Sequence, residues 1–564
     1  MESSPKKLWL NTLTKPADIW AGLLTSRLRI DVQHEQQKQY EKSAEKGIKM
    51  ANDFLSQLHD TLTDSSDNVS VTENGALGYK TTGKNLLDMN FAVSSLRNKA
   101  DAEIQEMFKG VLAENVNTAI VYLFFLRDVR GGLGERRSFR VCLQYLAGEY
   151  PDKVRKIMPL ISEYGRWDDL FCLIDTKVQN DMFALIRLQL TADLKNMVEN
   201  KNISLLAKWL PSVNASSRKT RVNASLIASK IGLRERDYQK MLSIMRRYLG
   251  VVEKKMSSGE WDRINYEHVP SRANLNYNGA FLRHDEQRRR EYLEKLERGE
   301  TKINSSALFP HDIVHKYVGS SNYYFRNPID ADPAIEAMWK SLPNTVKDGE
   351  GTIVVADGSG SMNCTISGTS VTALDVANAL AIYFAERLPE PFKDRYITFS
   401  SHPKLVNLGG STTLACKLNT ALTHNEVANT NIEAVFDLIL STAIRNNLKQ
   451  NQLPRNILII SDMEFDHCVS QNGWYCGISD NLFSEIGRRF AQHGYQLPRL
   501  VFWNVMSRTG TIPVKANANG VALVSGFSPN IAKMVMSGRT DPMDALMDML
   551  NVPRYDAVRE ALAS

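Results

Sequence analysis

Residues 352–361 read Thr352-Ile-Val-Val-Ala-Asp-Gly-Ser-Gly-Ser361, and this stretch decides the fold of the C-terminal half. Its first five residues are mostly apolar and β-branched, which predicts a short strand buried on both faces. The next five place one carboxylate and two hydroxyls at alternating positions, and the two glycines permit a tight loop. A buried strand that ends in oxygen ligands is typical of a parallel α/β sheet, which binds ligands at the carboxyl ends of its strands.

The chain after Pro333 continues this sequence pattern, because short apolar runs alternate there with amphipathic helices. We predict strands at 352–356, 395–399, 456–461, 500–505 and 521–524. We predict helices at 371–388, 431–446, 482–494 and 530–537. Such alternation favours a mostly parallel sheet covered on both faces, so we expect a doubly wound α/β domain at 341–540 and a helical tail at 541–564.

Side chains with oxygen ligands follow two of these strands and precede one of the helices. We predict that five of them bind one metal ion: Asp357, Ser359, Ser361, Thr430 and Asp462. Two carboxylates and three hydroxyls suit Mg²⁺ or Mn²⁺, and such ions usually keep water in their remaining positions. The sequence therefore predicts a metal centre at the carboxyl edge of the sheet.

Several alternatives remain open at this centre. Thr412, which follows Gly-Gly-Ser, competes with Thr430 for the threonine position. Glu464 and Asp466 lie near Asp462 in sequence and are either further ligands or solvated loop acids. The two serines of the first loop would merely cap a helix in a protein without the metal, although capping does not require a matching Asp462. A site that has lost its ion is also compatible with the sequence.

The N-terminal part of the chain has a different pattern. Residues 1–84 form a polar extension, in which residues 60–83 have the Ser, Thr, Asp, Asn and Gly content of a loop or mobile linker. From about Asn85 onward, apolar residues recur at helical spacing with short breaks between the runs. We predict a solenoid of HEAT-like helical hairpins at 85–340, which makes the chain a multidomain α plus α/β protein.

The composition is that of an ordinary globular protein, with 43% hydrophobic and 23% charged residues. The six cysteines are scattered and form no C-x-x-C pair, which argues against a structural zinc site and favours a reduced, intracellular protein. The sequence has no signal peptide and no segment apolar enough to span a membrane. We therefore expect a cytoplasmic protein without a membrane partner.

Positive charge is concentrated in one stretch of the helical part. Residues 201–256 hold 13 Lys and Arg against 3 Asp and Glu, whereas the net charge of the whole chain is +6. Basic residues interleaved with Trp209, Tyr238 and Tyr248 suggest phosphate neutralisation and stacking on unpaired bases. We predict that RNA is bound by seven residues around Gly232 and the loop before it: Arg218, Lys219, Arg221, Lys230, Arg234, Arg236 and Lys240.

Two further features bear on this prediction. The helix that begins after Gly232 would offer backbone N–H groups and the positive end of its dipole to a phosphate. The glycine-rich segment at 127–137 follows a helix-like run, which excludes a Rossmann or P-loop motif and predicts a turn between helices. The alternative is that the basic stretch is only a solvated surface, and the charges of 127–137 either add to that surface or serve the turn.

The order of Asp357, Ser359, Ser361, Thr430 and Asp462 resembles the metal-ion-dependent adhesion site of von Willebrand factor A domains. The resemblance covers about residues 345–540, although Asn429 stands where that family has glycine before the threonine. It implies a Rossmann-like domain whose metal keeps an open position for a carboxylate of a partner.

The helical repeats followed by an A domain, together with residues 127–137 and 164–170, resemble the TROVE architecture of the Ro ribonucleoprotein autoantigen. The chain is more similar, over about residues 85–540, to the family known as domain of unknown function 2828. Three motifs carry this likeness: Ala207-Lys-Trp-Leu-Pro-Ser212, Val269-Pro-Ser271 and Phe309-Pro-His-Asp-Ile313. The TROVE resemblance implies repeats that close into a ring and bind small structured or misfolded RNA, with residues 228–240 similar to the RNA-binding helix region.

We therefore expect a non-enzymatic, Ro-like scaffold that binds small structured RNA and has no DNA specificity. A second hypothesis is an adaptor whose metal captures an acidic protein ligand. An enzyme is the third, since Mg²⁺ beside Asp462 and Glu464 would activate water for phosphodiester cleavage. The sequence has no nucleotide-binding loop, no two-metal cluster and no recognisable Ser/His/Asp set, and His467 has no identified partner.

Overall fold

The computed structural model describes most of the chain from Asn68 to Ser564. Residues 70–564 form one compact unit. The described residues are 68–73, 77–305, 307–319, 328–346, 351–366, 369–425, 431–465, 468–469, 475–476, 480–513, 521–532 and 541–564. Among them, no helix is both long enough and apolar enough to cross a bilayer.

The described chain is helical from residue 85 to residue 340, as the sequence predicts. Its α-helices are α1 (Asn85–Phe91), α2 (Asp101–Glu114), α3 (Val116–Arg127), α4 (Arg137–Glu149), α5 (Pro151–Ile157), α6 (Ile161–Tyr164), α7 (Gln179–Val198), α8 (Leu206–Trp209), α9 (Arg218–Lys230), α10 (Glu235–Tyr248), α11 (Val252–Ser257), α12 (Ser271–His284), α13 (Glu286–Glu297), α14 (Pro310–Val318) and α15 (Pro333–Lys340). Short 3₁₀ helices lie at Ser95–Arg97, Met158–Leu160, Trp167–Leu173, Trp261–Arg263 and Tyr266–His268. Prolines open three of the α-helices, because the fixed φ of proline suits a first turn.

Helix α3 is apolar on every side and is buried from Ala119 to Arg127. It begins where the Asn115 side chain accepts a hydrogen bond of 2.9 Å from the Thr118 N–H. Helices α2 and α4 pack against it. A helix without a polar face must be enclosed by others, and this one is part of the core of the helical half.

Two short strands precede the helices, where the sequence predicts only a linker. Strands β1 (Val69–Val71) and β2 (Leu77–Tyr79) pair with each other. Tyr79 also exchanges two backbone hydrogen bonds of 2.8 Å with Ile512. The polar composition of residues 60–83 conceals these strands because each has only three residues and too little alternation to predict a strand.

The C-terminal half contains a mixed sheet of six strands among the described residues. They are β3 (Thr352–Asp357), β4 (Arg395–Phe399), β5 (Leu405–Asn407), β6 (Asn456–Ser461), β9 (Arg499–Asn504) and β10 (Val521–Ser525), while β7 (Cys468–Val469) and β8 (Tyr475–Cys476) pair separately. The spatial order is β10-β9-β6-β3-β4-β5, with only β5 antiparallel. All five predicted strands are present within one residue of their predicted ends, and the short edge strand β5 is the one that the sequence did not reveal.

Helices flank this sheet and follow it in the chain. They are α16 (Ala373–Arg387), α17 (Leu414–Thr423), α18 (Ile432–Arg445), α19 (Asp480–Gln492), α20 (Pro542–Leu550) and α21 (Asp556–Ala563). Helix α17 was not predicted. The helix predicted at 530–537 begins as a 3₁₀ turn at Pro529–Ile531, and its second half lies outside the described residues.

The C-terminal segment packs back onto the first helices of the chain. Arg554 forms an ion pair with the buried carboxylate of Asp128, in which Nη2 lies 2.9 Å from Oδ1. The Tyr164 hydroxyl donates a hydrogen bond of 2.6 Å to the Arg554 carbonyl oxygen, and its ring stacks on Tyr555 with centroids 5.7 Å apart. Residues separated by 390 and 426 positions in sequence therefore hold both ends of the compact unit together.

We predict that Arg554→Met destabilises the fold by about 2–3 kcal/mol, because it leaves the Asp128 carboxylate buried without its cation. The partial exposure of Arg554 keeps the loss at the lower end for a buried pair. Urea denaturation of the full chain measures the change. The control is Arg298→Met, whose ion pair with Glu300 is exposed and should contribute less than about 1 kcal/mol. Equal losses in both variants would contradict the proposed role of the Asp128 pair.

Candidate metal centre and nucleic-acid interface

The carboxyl ends of β3 and β6 lie side by side where the direction of strand addition reverses. The chain adds β4 on one side of β3 and β6 on the other, and doubly wound sheets bind ligands at such a point. The register pairs Ala356 with Ile460, so the next residues, Asp357 and Ser461, face each other. Ser461 Oγ donates a hydrogen bond of 2.7 Å to Asp357 Oδ2.

The loop after β3 turns its serines toward one another. The Ser359 N–H donates to Asp357 Oδ1 at 2.9 Å, and the hydroxyls of Ser359 and Ser361 lie 3.0 Å apart. Ser359 occupies the N-cap position of a 3₁₀ turn, but its side chain makes no capping hydrogen bond. Helix capping therefore does not account for Ser359, whose hydroxyl is directed to Ser361 instead.

Asp462 completes the group from the carboxyl end of β6. Its Oδ1 accepts a hydrogen bond of 3.2 Å from the Glu464 N–H, while its buried Oδ2 has no hydrogen-bond partner. Burial raises the pKa of the Asp462 carboxyl well above its ordinary value, and the neighbouring charge of Asp357 raises it further. A hydrogen bond from the Ser361 side chain and the charge of Arg508 act in the opposite direction.

Arg508 is a cation at this centre that the sequence did not predict. Its Nη2 lies 3.4 Å from Asp462 Oδ2, and its Nη1 donates to the Ser361 carbonyl oxygen at 3.3 Å. The Nε of the same guanidinium donates a hydrogen bond of 2.5 Å to Glu73 Oε2. One arginine that is shared in this way does not balance both Asp357 and Asp462. A divalent cation held by these two carboxylates and by the serine hydroxyls would fit the remaining negative charge.

The predicted ligands include only two carboxylates, Asp357 and Asp462, so acidic side chains alone would not surround an ion. Within the described ranges, no three His, Cys, Asp or Glu side chains converge as a metal site. Thr430 lies outside the described residues, so the fifth predicted ligand stays a prediction. The competing Thr412 is exposed on the loop before α17, in contrast to the buried carboxylates. A Cβ added to Gly358 would lie 3.1 Å from the Cα of Asn425, so this glycine permits a close approach between the two loops.

Glu464 is neither a solvated acid nor a free ligand. It is buried, and its Oε1 accepts hydrogen bonds from the N–H groups of Arg508 and Thr509 at 2.7 and 2.9 Å. Its Oε2 accepts from the Glu73 N–H at 2.7 Å. This carboxylate therefore holds the loop that carries Arg508. Asp466 and His467 lie outside the described residues.

The seven predicted RNA-binding residues are all exposed and lie on α9, on α10 and at the turn between them. Arg218, Lys219 and Arg221 lie in the first turn of α9 and not on the predicted loop, because Ser217 caps the helix directly before them; we call them the loop cluster. Lys230, Arg234, Arg236 and Lys240 surround the turn at Gly232, and we call them the turn cluster. Twelve residues of helix separate Arg218 from Lys230, which corresponds to about 18 Å.

Two of these seven side chains are already engaged. Arg221 donates hydrogen bonds of 2.8 and 2.7 Å to the carbonyl oxygens of Ala215 and Ser216. Arg234 forms an ion pair of 2.7 Å with Asp237. The other five make no hydrogen bond or ion pair with any described residue.

The phosphate site at the start of α10 stays a prediction, and the acids in the first turn of that helix make it unfavourable. Glu235 and Asp237 are both in that turn. They offset the positive end of the helix dipole, and Asp237 also neutralises Arg234. The first turn of α9 has no acid, and its Ser217 hydroxyl accepts the Thr220 N–H at 3.4 Å. A phosphate would therefore be favoured at the loop cluster.

Only part of the predicted aromatic set is available for stacking. Tyr238 is fully buried, and its hydroxyl donates to the Pro211 carbonyl oxygen at 2.9 Å, so it belongs to the core. Tyr248 is partly exposed, at 40%. Trp209 is half-buried, and the Arg166 guanidinium lies over its ring, 4.0 Å from the centroid.

A surface cavity of about 420 Å³ joins Trp209 to the loop cluster. It is lined by residues from separate parts of the sequence, among them Arg140, Asp168, Trp209, Ser217, Lys219 and Asn223. Arg166 and Arg140 both form ion pairs with Asp168, at 2.7 and 2.8 Å. Burial lowers the pKa of Arg136, and the nearby charges of Arg166 and Arg140 lower it further. The cavity is therefore a basic surface with an aromatic wall.

The segment at 127–137 forms a turn between α3 and α4, as predicted, and three of its six charged side chains are buried. Arg127 is buried and forms an ion pair of 2.8 Å with Asp169. Asp128 binds Arg554, and Glu135 binds Arg97 at 2.6 Å. A Cβ added to Gly165 would lie 2.5 Å from Asp169, so that glycine makes room for the ion pair. These charges serve the fold, whereas Arg136 remains on the basic surface.

We predict that Mg²⁺ raises the melting temperature of the protein and that Asp462→Asn abolishes this increase. The amide removes one of two buried negative charges, so the variant in EDTA should melt higher than the parent protein in EDTA. Differential scanning fluorimetry with and without Mg²⁺ measures both effects. Glu485→Gln changes an exposed acid of the same half and should keep the full response. An unchanged Mg²⁺ response in Asp462→Asn would count against a metal at this position.

Comparison with known proteins supports part of the sequence-based resemblance. The family described as Domain of unknown function (DUF2828) matches residues 229–353, and the family described as Domain of unknown function (DUF7788) matches residues 351–554. The chain is 30% identical over 524 residues to Uncharacterized protein L728 of Acanthamoeba polyphaga mimivirus, across 86% of this chain and 87% of that protein. Because the similarity spans most of both proteins, the chain belongs to the same family as Uncharacterized protein L728.

Proposed function

We propose that this protein is an RNA-binding scaffold that holds small structured or misfolded RNA on its basic helical surface. The observation that carries the proposal is the cavity that brings Trp209 and Lys219 together, with the Arg166 guanidinium over the ring of Trp209. A base that stacks near the tryptophan places its phosphate beside the arginine and the lysine. This arrangement suits unpaired nucleotides, because it provides a flat apolar surface and positive charge without donors fixed for one base.

The distribution of charge supports a nucleic-acid partner of some length. The loop cluster and the turn cluster are about 18 Å apart along α9, so a single mononucleotide does not reach both. Five of their seven basic side chains make no ion pair with a described residue and are available to phosphates. We propose RNA rather than DNA because exposed stacking surfaces select single-stranded segments and loops, which structured RNA offers.

The C-terminal half is proposed to be a von Willebrand A-type domain that binds Mg²⁺ or Mn²⁺. The order of β3, β6 and their terminal carboxylates supports this assignment, as does the buried Oδ2 of Asp462, which accepts no hydrogen bond from a described residue. An ion bound there would supply an open coordination position, which suits an acidic protein ligand. On the TROVE plan the helical half would be a ring of HEAT-like repeats braced by this domain, in a cytoplasmic ribonucleoprotein.

We predict that the double substitution Lys219→Ala with Trp209→Ala weakens RNA binding about 10- to 100-fold. The loss combines one phosphate contact and one stacked base, the second of which is worth about 1–3 kcal/mol. Filter binding of the full chain to a structured RNA with a free 3′ tail, at several salt concentrations, measures affinity and salt slope. Loss of the lysine should also reduce the salt slope by about 1.

The matched control is Arg290→Ala with Lys295→Ala, which removes two positive charges from α13. We expect this variant to bind RNA within about twofold of the parent protein. Equal losses in the two double variants would mean that binding depends only on net charge. Absence of any salt-sensitive affinity in the parent protein would refute the proposal, and the acidic-ligand adaptor would become the leading hypothesis.

A further inference from the structure

Three side chains from separate parts of the sequence meet where the helical half packs on the α/β half. His315 lies in the last turn of α14, Ser370 lies on the exposed turn before α16, and Asp375 lies in the first turn of α16. His315 Nδ1 is 2.9 Å from Asp375 Oδ2, and His315 Nε2 is 2.8 Å from Ser370 Oγ. Both ring nitrogens are thus within hydrogen-bond distance of an oxygen atom.

This geometry fixes the direction of the hydrogen bonds. A carboxylate only accepts, so Nδ1 carries the proton and donates it to Asp375. The lone pair of Nε2 then faces Ser370 and accepts from its hydroxyl. A hydroxyl held on the basic nitrogen of an imidazole that is oriented by a carboxylate has the arrangement of an activated nucleophile.

The surrounding structure holds each of the three residues in place and leaves the Ser370 hydroxyl and His315 Nε2 to each other. Asp375 is fully buried, and its Oδ2 also accepts the Thr372 N–H at 2.8 Å in a capping box that opens α16. The turn that carries Ser370 is closed by a hydrogen bond of 2.8 Å from the Ile366 N–H to the Val371 carbonyl oxygen. Ser370 itself is exposed, and its N–H donates to no described residue.

We propose that Ser370, His315 and Asp375 form a nucleophilic triad that hydrolyses small carboxylic esters. Ser370 and His315 act on the reacting atoms, and Asp375 is a positioning residue that orients His315. The exposed hydroxyl is open to substrate, and the free N–H of Ser370 is available to donate to the developing oxyanion. A short acyl group suits a nucleophile on an open turn.

Each step of the reaction balances within this set and water. Ser370 Oγ bonds to the carbonyl carbon while its proton passes to His315 Nε2. The tetrahedral adduct collapses, the ester C–O bond breaks, and Nε2 returns the proton to the departing alcohol. Water then attacks the acyl-serine and gives its proton to Nε2. The carboxylic acid leaves, and the proton on Nε2 restores the Ser370 hydroxyl.

The competing interpretation is that the three residues only brace α14 against α16. The chain offers a matched comparison in Ser401, whose Oγ lies 3.2 Å from His402 Nδ1 on an exposed loop. That pair is formed by adjacent residues, and no described carboxylate bonds to the imidazole to orient it, so its serine should remain unreactive. A structural brace and a nucleophile therefore predict different patterns of covalent labelling.

The test exposes the full-length protein to a fluorophosphonate probe and, separately, to p-nitrophenyl acetate. We expect a single adduct on Ser370 by peptide mass spectrometry and a burst of one p-nitrophenolate per chain. Ser370→Ala and His315→Gln should lower the labelling rate at least 100-fold, and Ser401→Ala should leave it unchanged. Asp375→Asn should also slow labelling at least 100-fold, with a melting temperature close to that of the parent protein.

A bracing role predicts the opposite pattern, in which the substitutions lower the melting temperature and no serine is labelled. Absence of an adduct on Ser370, or equal labelling in His315→Gln, would overturn the proposal. Because Asp375 also caps α16, the exposed Ser370→Ala change and the partly exposed His315→Gln change remain informative if Asp375→Asn fails to fold. RNA affinity should be unaffected in all variants, so this test stands apart from the proposed scaffold function.

Discussion

Two carboxylates buried side by side are the constraint around which the α/β half is organised. Parallel strands at a switch point bring Asp357 and Asp462 to the same edge, and their mutual repulsion opposes ionisation of both. Hydroxyl donors from the loop and the guanidinium of Arg508 partly offset this repulsion. That arginine is in turn held by Glu464 through backbone N–H groups. The remaining negative charge is the physical reason to propose a divalent cation here.

The helical half treats its buried charges differently. Arg127 is paired with Asp169, and Asp128 with Arg554, so each of these two buried carboxylates has a guanidinium in direct contact. Such pairs do not gain stability over an apolar core, but losing one partner is costly. The charges of these buried ion pairs stabilise the fold, whereas the basic side chains on α9 and α10 stay exposed. The basic stretch can bind a polyanion without disturbing the packing beneath it.

Local patterns predicted much of this architecture and the first loop of the candidate metal centre. Buried strands such as β6 have four or more apolar residues in succession, so their bounds could be read from the sequence. The loop at 357–361 was predictable because its three oxygen-bearing side chains alternate with glycines directly after a strand. Strand β5, with three residues and an exposed Leu405, gives no such pattern. The burial of Tyr238 and the position of Arg508 depend on distant segments, which periodicity does not describe.

The triad is the clearest example of an arrangement that sequence patterns do not predict. Taken alone, Asp375 is an ordinary capping acid, Ser370 an ordinary loop residue and His315 a polar residue near a helix end. None of them has a neighbour in sequence that signals chemistry, because His315 is 55 residues from Ser370 and 60 from Asp375. Their alignment arises only when α14 packs against α16. The interface that joins the two halves of this protein therefore creates a chemical arrangement that neither half contains by itself.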